Sequence, residues 1–527
     1  MQRCKCVHVG PLLAFGYILL ATLVTHASAF SSLVNAIVAL PCLILIPLLV
    51  GNLVFSIPRL AKKSSDLDLV ASLILKWLLG CLTLFALGLV VLLNSQNTFL
   101  LSTAVLILCG LGAIRTEPNF LNGKILLDKT MLVLSAFGLI PILVVKYFDT
   151  FPLPVSLNWL LPASYLTYMN YITQYGVFSG IFDPTHPPLV VLIYSVVSIL
   201  LNVSPLSLLW AVPFLLGPIL GVGTYLFVYR LTKNRLSGII ASLMSVWLLS
   251  GTPGVSFPKD PEPPSVLFAL FPLGLYVAES HLQGEMRWKS LAEVPGLAIF
   301  VIFVTLLLAL IKSNMNYTSS SPLLGYFQIL VVLCLALLIL LNSMKLGLAS
   351  LGIIGVTFSI IELQYIGVYF ASLIFLYVLV RRIASANPKL LRRSLYALGT
   401  VTAIYILLQL SGLVTLPIHE LFESIIVAGA YPPYSFQFEW SILLSSSGAI
   451  VLILLPVAAV VLIRRSEVDL AILTIMILIL LAFFLPDYFS YRFLNGMGPF
   501  LAYSLSILVS QTPRVRLAQS TQQRAGP

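Results

Sequence analysis

A polar loop between two apolar runs of this chain ends in the stretch Phe182-Asp183-Pro184-Thr185-His186-Pro187-Pro188-Leu189. Paired prolines suit the first turn of a helix, because proline presets φ and the first backbone N–H groups have no partner inside the helix. A histidine and an aspartate stand directly before that turn. On its own, the stretch indicates a helix start with polar side chains in front of it.

Composition decides the fold class. Hydrophobic residues make up 59% of the 527 residues, charged residues only 9%, and the mean hydropathy is +1.05. A chain with these proportions uses lipid as its solvent. Apolar runs of about 17 to 25 residues are long enough to cross a bilayer, and they predict an all-α polytopic membrane protein with about sixteen transmembrane helices.

The distribution of positive charge predicts the topology. A cytoplasmic N-terminus places 24 of the 29 basic residues on the cytoplasmic side, which is the asymmetry that the positive-inside rule describes. The other five are four external residues and one residue within a span, namely Lys146, Lys259, Lys312, Arg492 and Lys76. Both termini are therefore expected in the cytoplasm. The net charge of +11 reflects this basic face, and no interleaving of aromatic and basic residues indicates a nucleic-acid partner.

Residues 187–202 have to be left out of the crossings for this topology to hold. As a helix they would be about 24 Å long, against a hydrocarbon core of about 30 Å. Counting them as a span would invert every later loop. We therefore predict that this segment lies at the external interface or dips into it.

The charge pattern and the loops divide the chain into three parts. Residues 1–129 form a four-span extension with short loops, residues 130–510 form the core, and residues 511–527 form a basic cytoplasmic tail. Lys76 lies inside a span of the extension, where an ionisable side chain is a functional candidate by default. It also lies about two turns from the cytoplasmic end, and the alternative is a lysine that extends toward the headgroups.

The loop that ends in His186 has a second feature, an aromatic amphipathic segment with the sequence Tyr165-Leu166-Thr167-Tyr168-Met169-Asn170-Tyr171-Ile172-Thr173-Gln174-Tyr175-Gly176. Together with the His-Pro-Pro-Leu turn, it resembles the first external loop of the GT-C glycosyltransferases, which include the protein O-mannosyltransferases and the oligosaccharyltransferase catalytic subunits. The resemblance implies interfacial helices in this loop, a polyprenyl-phosphate-linked sugar donor, and substrate-binding roles for His186 and Asp183. The acceptor would be a lipid, a glycan or a protein.

A second external loop carries the triplet Asp260-Pro261-Glu262, behind a glycine, a serine and an aromatic residue. It is similar to the acidic motif after the third core span of oligosaccharyltransferase catalytic subunits. Two carboxylates one residue apart supply the oxygen ligands that Mg²⁺ or Mn²⁺ would take. The alternative is a stiff, proline-rich turn with solvated charges.

Two further candidates are external. The stretch Asp487-Tyr488-Phe489-Ser490-Tyr491-Arg492-Phe493 resembles the arginine-aromatic entry to a late span of the same superfamily. The guanidinium of Arg492 suits a phosphate contact, although a simple pair with Asp487 would also account for it. Glu362 falls at an external turn, where it would face the same cavity or cap a helix.

The catalytic base is where this chain departs from the superfamily. An alignment without gaps on Gly176 puts Leu161 in the column of the usual aspartate. Asp149 is the acid on the external side before the aromatic helix, and we assign it the role of base, because a base needs hydrogen-bond reach more than a fixed position in the sequence. The match is best over residues 130–281, weak over 486–503 and absent from the first 129.

The resemblance thus implies a membrane glycosyltransferase with a GT-C-like core and an external active site, and we expect it in a prokaryotic plasma membrane rather than the endoplasmic reticulum. Asp149, Asp260 and Glu262 are the catalytic candidates. Two alternatives stay open. One is a catalytically silent GT-C-like subunit of an envelope or glycan assembly, which Leu161 favours. The other is a lipid or polymer transporter, which should show paired charges at mid-bilayer, where the sequence offers only Lys76.

Overall fold

A computed structural model describes residues 9–27, 32–57, 68–92, 95–114, 129–148, 160–175, 188–247, 263–284, 293–317, 322–343, 346–361, 365–411, 456–460, 462–463, 465–483 and 494–510. Within these ranges every regular element is a helix and none is a strand. The all-α prediction is therefore confirmed.

Six helices are long and apolar enough to cross a membrane, counting the described part of the chain alone: Ser32–Phe55, Leu69–Val91, Pro205–Thr232, Ser265–Leu282, Val294–Ile311 and Gly367–Ala386. Eight shorter apolar helices of 10–17 residues accompany them. The protein is accordingly a polytopic integral membrane protein.

The N-terminal helices form a tight group. They are α1 (Val9–His26), α2 (Ser32–Ala39), α3 (Cys42–Phe55), α4 (Leu69–Val91) and α5 (Thr98–Ile114), with a 3₁₀ turn at Ser95–Asn97 between α4 and α5. Helix α3 packs against both α4 and α5. Without a hydrophobic driving force between helices in lipid, such packing depends on close backbone approach.

Glycines provide this close approach. A Cβ built at Gly51 of α3 would lie 1.7 Å from the carbonyl oxygen of Lys76 in α4. A Cβ at Gly112 of α5 would lie 2.1 Å from the carbonyl oxygen of Leu49. Beside this contact the buried Asn52 donates a hydrogen bond of 2.8 Å from Nδ2 to the Gly112 carbonyl. Larger side chains at these positions would separate the helices.

The region with the His-Pro-Pro-Leu turn contains the helices α6 (Lys129–Phe148), α7 (Leu160–Tyr175), α8 (Pro188–Leu201) and α9 (Pro205–Ala211). The aromatic segment is thus helical, as α7, and the second proline of the turn begins α8. Helix α7 packs against α8, α9 and the 3₁₀ turn at 95–97. This places α7 at the end of the bundle where α4 finishes.

Helix α8 is 14 residues long, or about 21 Å. Its residues 190–198 are buried, and it packs against α4 and α5 as well as α7. It is therefore too short to cross a bilayer of ordinary thickness alone, and it is covered by protein rather than by lipid. Its sidedness stays a prediction.

The remaining helices of the core are α10 (Pro213–Thr232), α11 (Arg235–Trp247), α12 (Pro263–Gly284), α13 (Glu293–Tyr317), α14 (Pro322–Ser343), α15 (Leu346–Ile361), α16 (Tyr365–Ala386), α17 (Pro388–Leu410), α18 (Glu467–Phe483) and α19 (Gly498–Ser510), with a 3₁₀ turn at Leu494–Met497. Helices α10, α12 and α16 form its centre: α12 contacts α10, α15 and α16. Helix α19 packs mainly against α11, and α18 against α16.

An aromatic cluster joins four of these helices. Its members are Phe227 of α10, Phe271 of α12, Phe370 and Tyr377 of α16, and Phe500 of α19. Phe271 lies edge-on to Phe370 with ring centroids 4.9 Å apart, and to Phe500 at 6.1 Å. All five side chains are buried. Edge-to-face packing of this kind adds to the stabilisation from burial alone.

Candidate functional site

All seven site residues inferred from the sequence lie outside the described residues: Asp149, Asp183, His186, Asp260, Glu262, Glu362 and Arg492. Their side-chain geometry therefore stays a prediction. The chain does join them directly to described helices, and the positions of those helices can be compared. Leu161 lies in the first turn of α7, so the column of the missing aspartate is helical.

Three of the candidates flank elements that pack together. Glu262 immediately precedes α12, Glu362 immediately follows α15 and precedes α16 by three residues, and Arg492 precedes the 3₁₀ turn at 494–497 by two. Helices α12, α15 and α16 are mutually in contact, and the 3₁₀ turn contacts α12, α18 and α19.

The aromatic cluster shows how near these chain segments are. Phe271, Phe370 and Phe500 follow Glu262, Glu362 and Arg492 by nine, eight and eight residues. At 1.5 Å rise per residue, Phe271 lies about 12 Å along α12 from Pro263, and Phe370 lies about 8 Å along α16 from Tyr365. Each of the three candidates is thus tied by a short length of chain to one set of touching rings.

The backbone at Gly496, in the turn before α19, lies close to side chains of α16. A Cβ built at Gly496 would lie 2.9 Å from the hydroxyl oxygen of Tyr369. Glycine at 496 therefore lets the turn approach α16 near its first residues. The turn that follows Arg492 thus packs against the helix that follows Glu362.

Asp149 and His186 are joined to different helices. Asp149 follows α6, which packs against α10 and α11, with Gly138 and Gly217 in close backbone contact. His186 precedes α8, which contacts α15 as well as the N-terminal helices. The helices next to these two residues therefore contact different parts of the core.

At the other ends of α12 and α16 the structure shows a charged site that sequence reasoning missed. Glu279 of α12 is completely buried and pairs with Arg381 of α16: Nη2 donates to Oε1 at 2.9 Å, and Nε donates to Oε2 at 3.3 Å. The hydroxyl of Tyr377 donates a third hydrogen bond to Oε2 at 2.7 Å. A buried carboxylate is tolerated when it has such partners.

A second carboxylate joins the N-terminal helices to the core. Asp68 caps α4 by accepting the N–H of Val70 at 3.0 Å. Its other oxygen accepts the hydroxyls of Tyr276 and Ser280 of α12, and Arg230 of α10 lies 3.7 Å away. A single side chain at the start of α4 thus contacts two core helices.

A third carboxylate links α18 and α19. Asp469 accepts the hydroxyl of Tyr503 at 2.8 Å and that of Ser466 at 2.6 Å. The Ser466 hydroxyl in turn accepts the N–H of Asp469 at 3.1 Å, as in a capping box. Arg465 approaches the same carboxylate at 3.8 Å. We call Asp68, Glu279, Asp469 and their partners the polar layer.

Lys76 has an interior position in the structure. Only 2% of the residue is exposed, and its ammonium lies 5.7 Å from the ring centroid of Phe55, at the C-terminal end of α3. The side chain therefore extends toward the end of the bundle where Asp68 lies, as the snorkelling alternative expects, but it does so inside the protein.

A signal for part of the polar layer was present in the sequence. Glu279 stands within the apolar run of α12, and an ionisable residue in a span deserves a functional hypothesis. Its partner could not be found this way, since Arg381 lies 102 residues further along. Asp68 and Ser280 are 212 residues apart.

Among the described residues, no three His, Cys, Asp or Glu side chains are grouped so that they could hold a metal ion. Asp260 and Glu262 fall outside them. Comparison of the chain with protein-family models, with curated proteins and with solved structures finds no match.

Proposed function

We propose that the protein is a membrane glycosyltransferase of the GT-C type, which transfers a sugar from a polyprenyl-phosphate-linked donor to an acceptor on the non-cytoplasmic face. The observation that supports this most is the convergence of α12, α15, α16 and the turn before α19, because these elements lead to Glu262, Glu362 and Arg492. The helical α7 followed by α8 fits the first loop of that superfamily.

The roles follow from the chemistry. Asp149 takes the proton of the acceptor hydroxyl, whose oxygen attacks the anomeric carbon as the bond to the polyprenyl phosphate breaks. Arg492 neutralises the charge that collects on the departing phosphate. His186, Asp183 and Glu362 orient the donor, and Asp260 and Glu262 orient the acceptor.

The acidic triplet has the donor set of a divalent-cation site. Two carboxylates supply hard oxygen ligands, which suit Mg²⁺ or Mn²⁺ rather than a soft metal. When bound, the cation would contribute positive charge near the phosphate. Asp260 and Glu262 would be its protein ligands.

The proposal includes about sixteen crossings, both termini in the cytoplasm, residues 1–129 as an extension of the core, and a prokaryotic plasma membrane. The basic tail at 511–527 would then lie against the headgroups. A lipid, glycan or protein acceptor fits an external site equally well.

One observation favours a second candidate function, a catalytically silent subunit. Leu161 occupies the column of the usual aspartate and cannot accept a proton. A transporter is less favoured, because the Glu279–Arg381 pair lies five residues from the end of α12 rather than at its middle.

A substitution at Asp149 distinguishes an enzyme from a catalytically silent subunit. We expect Asp149→Asn to lower turnover about 10²- to 10⁴-fold with donor affinity nearly unchanged, since this is the usual contribution of a positioned base. Release of labelled sugar from the donor by purified protein measures it. Glu467→Gln, an exposed acid at the start of α18, is the control and should keep full activity. Unchanged turnover in Asp149→Asn would show that the assignment of the base is wrong.

A further inference from the structure

Helices α12 and α16 lie side by side and carry different features at their two ends. At one end the buried Glu279 and the partly buried Arg381 form the ion pair of the polar layer. At the other end α12 follows Glu262 and α16 follows Glu362. From Pro263 to Glu279, and from Tyr365 to Arg381, the rise is about 24 Å.

The pair constrains more than the distance between the helices. A guanidinium that donates to both oxygens of a carboxylate fixes the plane as well as the separation of the two groups. The hydroxyl of Tyr377 comes from the same face of α16 one turn earlier and bonds Oε2. Three directed hydrogen bonds therefore set the rotation and the register of α12 against α16.

Packing transmits this register along the helices. A Cβ built at Gly274 would lie 2.7 Å from Cδ1 of Ile374, so the side chain of Ile374 packs against the backbone of α12 between Phe271 and the polar pair. Phe271 and Phe370 then meet edge-on. Packed helices keep discrete arrangements and do not deform continuously, so a shift at one end moves the other.

Helix α12 is held on a neighbouring face too. Tyr276 and Ser280, one turn apart, donate their hydroxyls to Asp68 at the start of α4. The polar layer therefore ties α12 both to α16 and to the N-terminal helices. These hydrogen bonds connect the N-terminal helices to the core.

We propose that Glu279 and Arg381 are positioning residues: their ion pair holds α12 in register with α16, and so fixes the relative positions of Pro263 and Tyr365, the first residues of the helices that follow Glu262 and Glu362. The inference rests on the proposed function for its catalytic consequence. The register itself is a structural statement that is testable without activity.

The alternative is that the Glu279–Arg381 pair only stabilises the fold. The known response of interior ion pairs to mutation distinguishes this role from positioning. Removing one partner leaves an uncompensated buried charge, whereas replacing both with apolar residues of similar size is often neutral for stability. The hydroxyl of Tyr377 would then lose its acceptor, so Tyr377→Phe is included in the Glu279→Leu, Arg381→Met background. This triple variant should thus unfold near the temperature of the parent. A positioning role predicts that it nevertheless loses function.

The register of α12 against α16 is measured by a crosslink between the two helices, away from the Glu279–Arg381 pair. Phe271→Cys and Phe370→Cys are introduced together, in a background without the six native cysteines. Dibromobimane, which fluoresces once it joins two thiols, reports the yield in the full-length protein. We expect the yield to fall in the background of the triple variant. Asn52→Leu, which removes a buried hydrogen bond within the N-terminal helices, is the control and should leave the yield unchanged.

The second measurement is turnover, in proteins that do not carry the two introduced cysteines. Turnover of the triple variant should fall about 10- to 100-fold, the cost of a misplacement of about 1 Å, while donor affinity stays within about threefold. If that variant fails to fold, Glu279→Asp replaces it, because it keeps both charges and shortens the reach of the carboxylate. A folded variant with parental crosslinking would overturn the proposal. Changed crosslinking in a protein that transfers no sugar would overturn the proposed function alone.

Discussion

The carboxylates of the polar layer are stable because each one has several donors. Glu279 has a guanidinium and a hydroxyl, Asp68 has an N–H, two hydroxyls and a nearby guanidinium, and Asp469 has two hydroxyls. A carboxylate in an apolar surrounding costs several kcal/mol if it is left charged and unpaired. These side chains therefore act as connections between helices.

Lys233 is a residue whose replacement should stabilise the protein. It ends α10 in the left-handed region, with φ of 55°. Lost hydration and the nearby Arg230 lower its pKa, while Glu279 and Asp68 oppose this. We expect Lys233→Gly to raise the free energy of unfolding by about 1 kcal/mol, since glycine has no Cβ to clash there. Thermal unfolding in detergent measures the change.

The neighbouring Asn234 is the matched control for Lys233. Its Oδ1 accepts the N–H of Leu236 at 3.0 Å and so caps α11, and Asn234→Ala should cost about 1 kcal/mol. The lowered pKa of Lys233 also means that the parent gains stability as pH rises from that pKa toward 10.5, where unfolded lysine still binds its proton. A less stable Lys233→Gly protein, or an unaltered pH dependence, would contradict this account.

At the scale of the elements, glycine decides how closely the N-terminal helices pack. Gly51→Ala would put a Cβ 1.7 Å from a backbone oxygen of α4, so the helices must separate. We expect a loss of about 1 to 3 kcal/mol, the usual effect of overpacking. The control is Gly399→Ala in α17, where a new Cβ meets no described atom within 4 Å. That change should be neutral or stabilising by up to about 1 kcal/mol. Equal stabilities of the two variants would show that the contact is not tight.

The helices could be predicted from the sequence because apolar runs are local. The run around Leu75 is a 23-residue helix, and the Tyr165–Tyr175 segment is helical as expected. Glu279 and Arg381 could not be paired in advance, since two distant helices have to meet before their charges do. The sequence shows which loop residues are polar, but the distance between loops such as the one with Asp149 depends on contacts between helices that are far apart in the chain.

In the whole molecule, the two ends of the helix bundle carry different groups of residues. The end with the polar layer holds helices together, and in the proposed topology it is the cytoplasmic end. The opposite ends of α12, α15 and α16 lead to the polar residues proposed to bind substrate.

The proposed topology predicts on which side of the membrane His186 and Asp260 lie. We expect His186→Cys and Asp260→Cys to react with an impermeant thiol reagent from outside intact cells, because α8 does not cross and both residues share the external face. Lys389→Cys, exposed at the start of α17, should react only after permeabilisation. Labelling of positions 186 and 260 from opposite sides would show that α8 is part of a crossing.

Binding of the donor tests the central claim most directly. Purified full-length protein in lipid nanodiscs is titrated with a polyprenyl-phosphate-linked hexose, and bound lipid is measured against free polyprenol as the control without phosphate. We predict saturable binding of the phosphorylated lipid, weakened in Arg492→Lys because the ammonium keeps the charge but not the two-pronged contact. Absence of saturable binding, or equal binding of free polyprenol, would contradict the glycosyltransferase assignment.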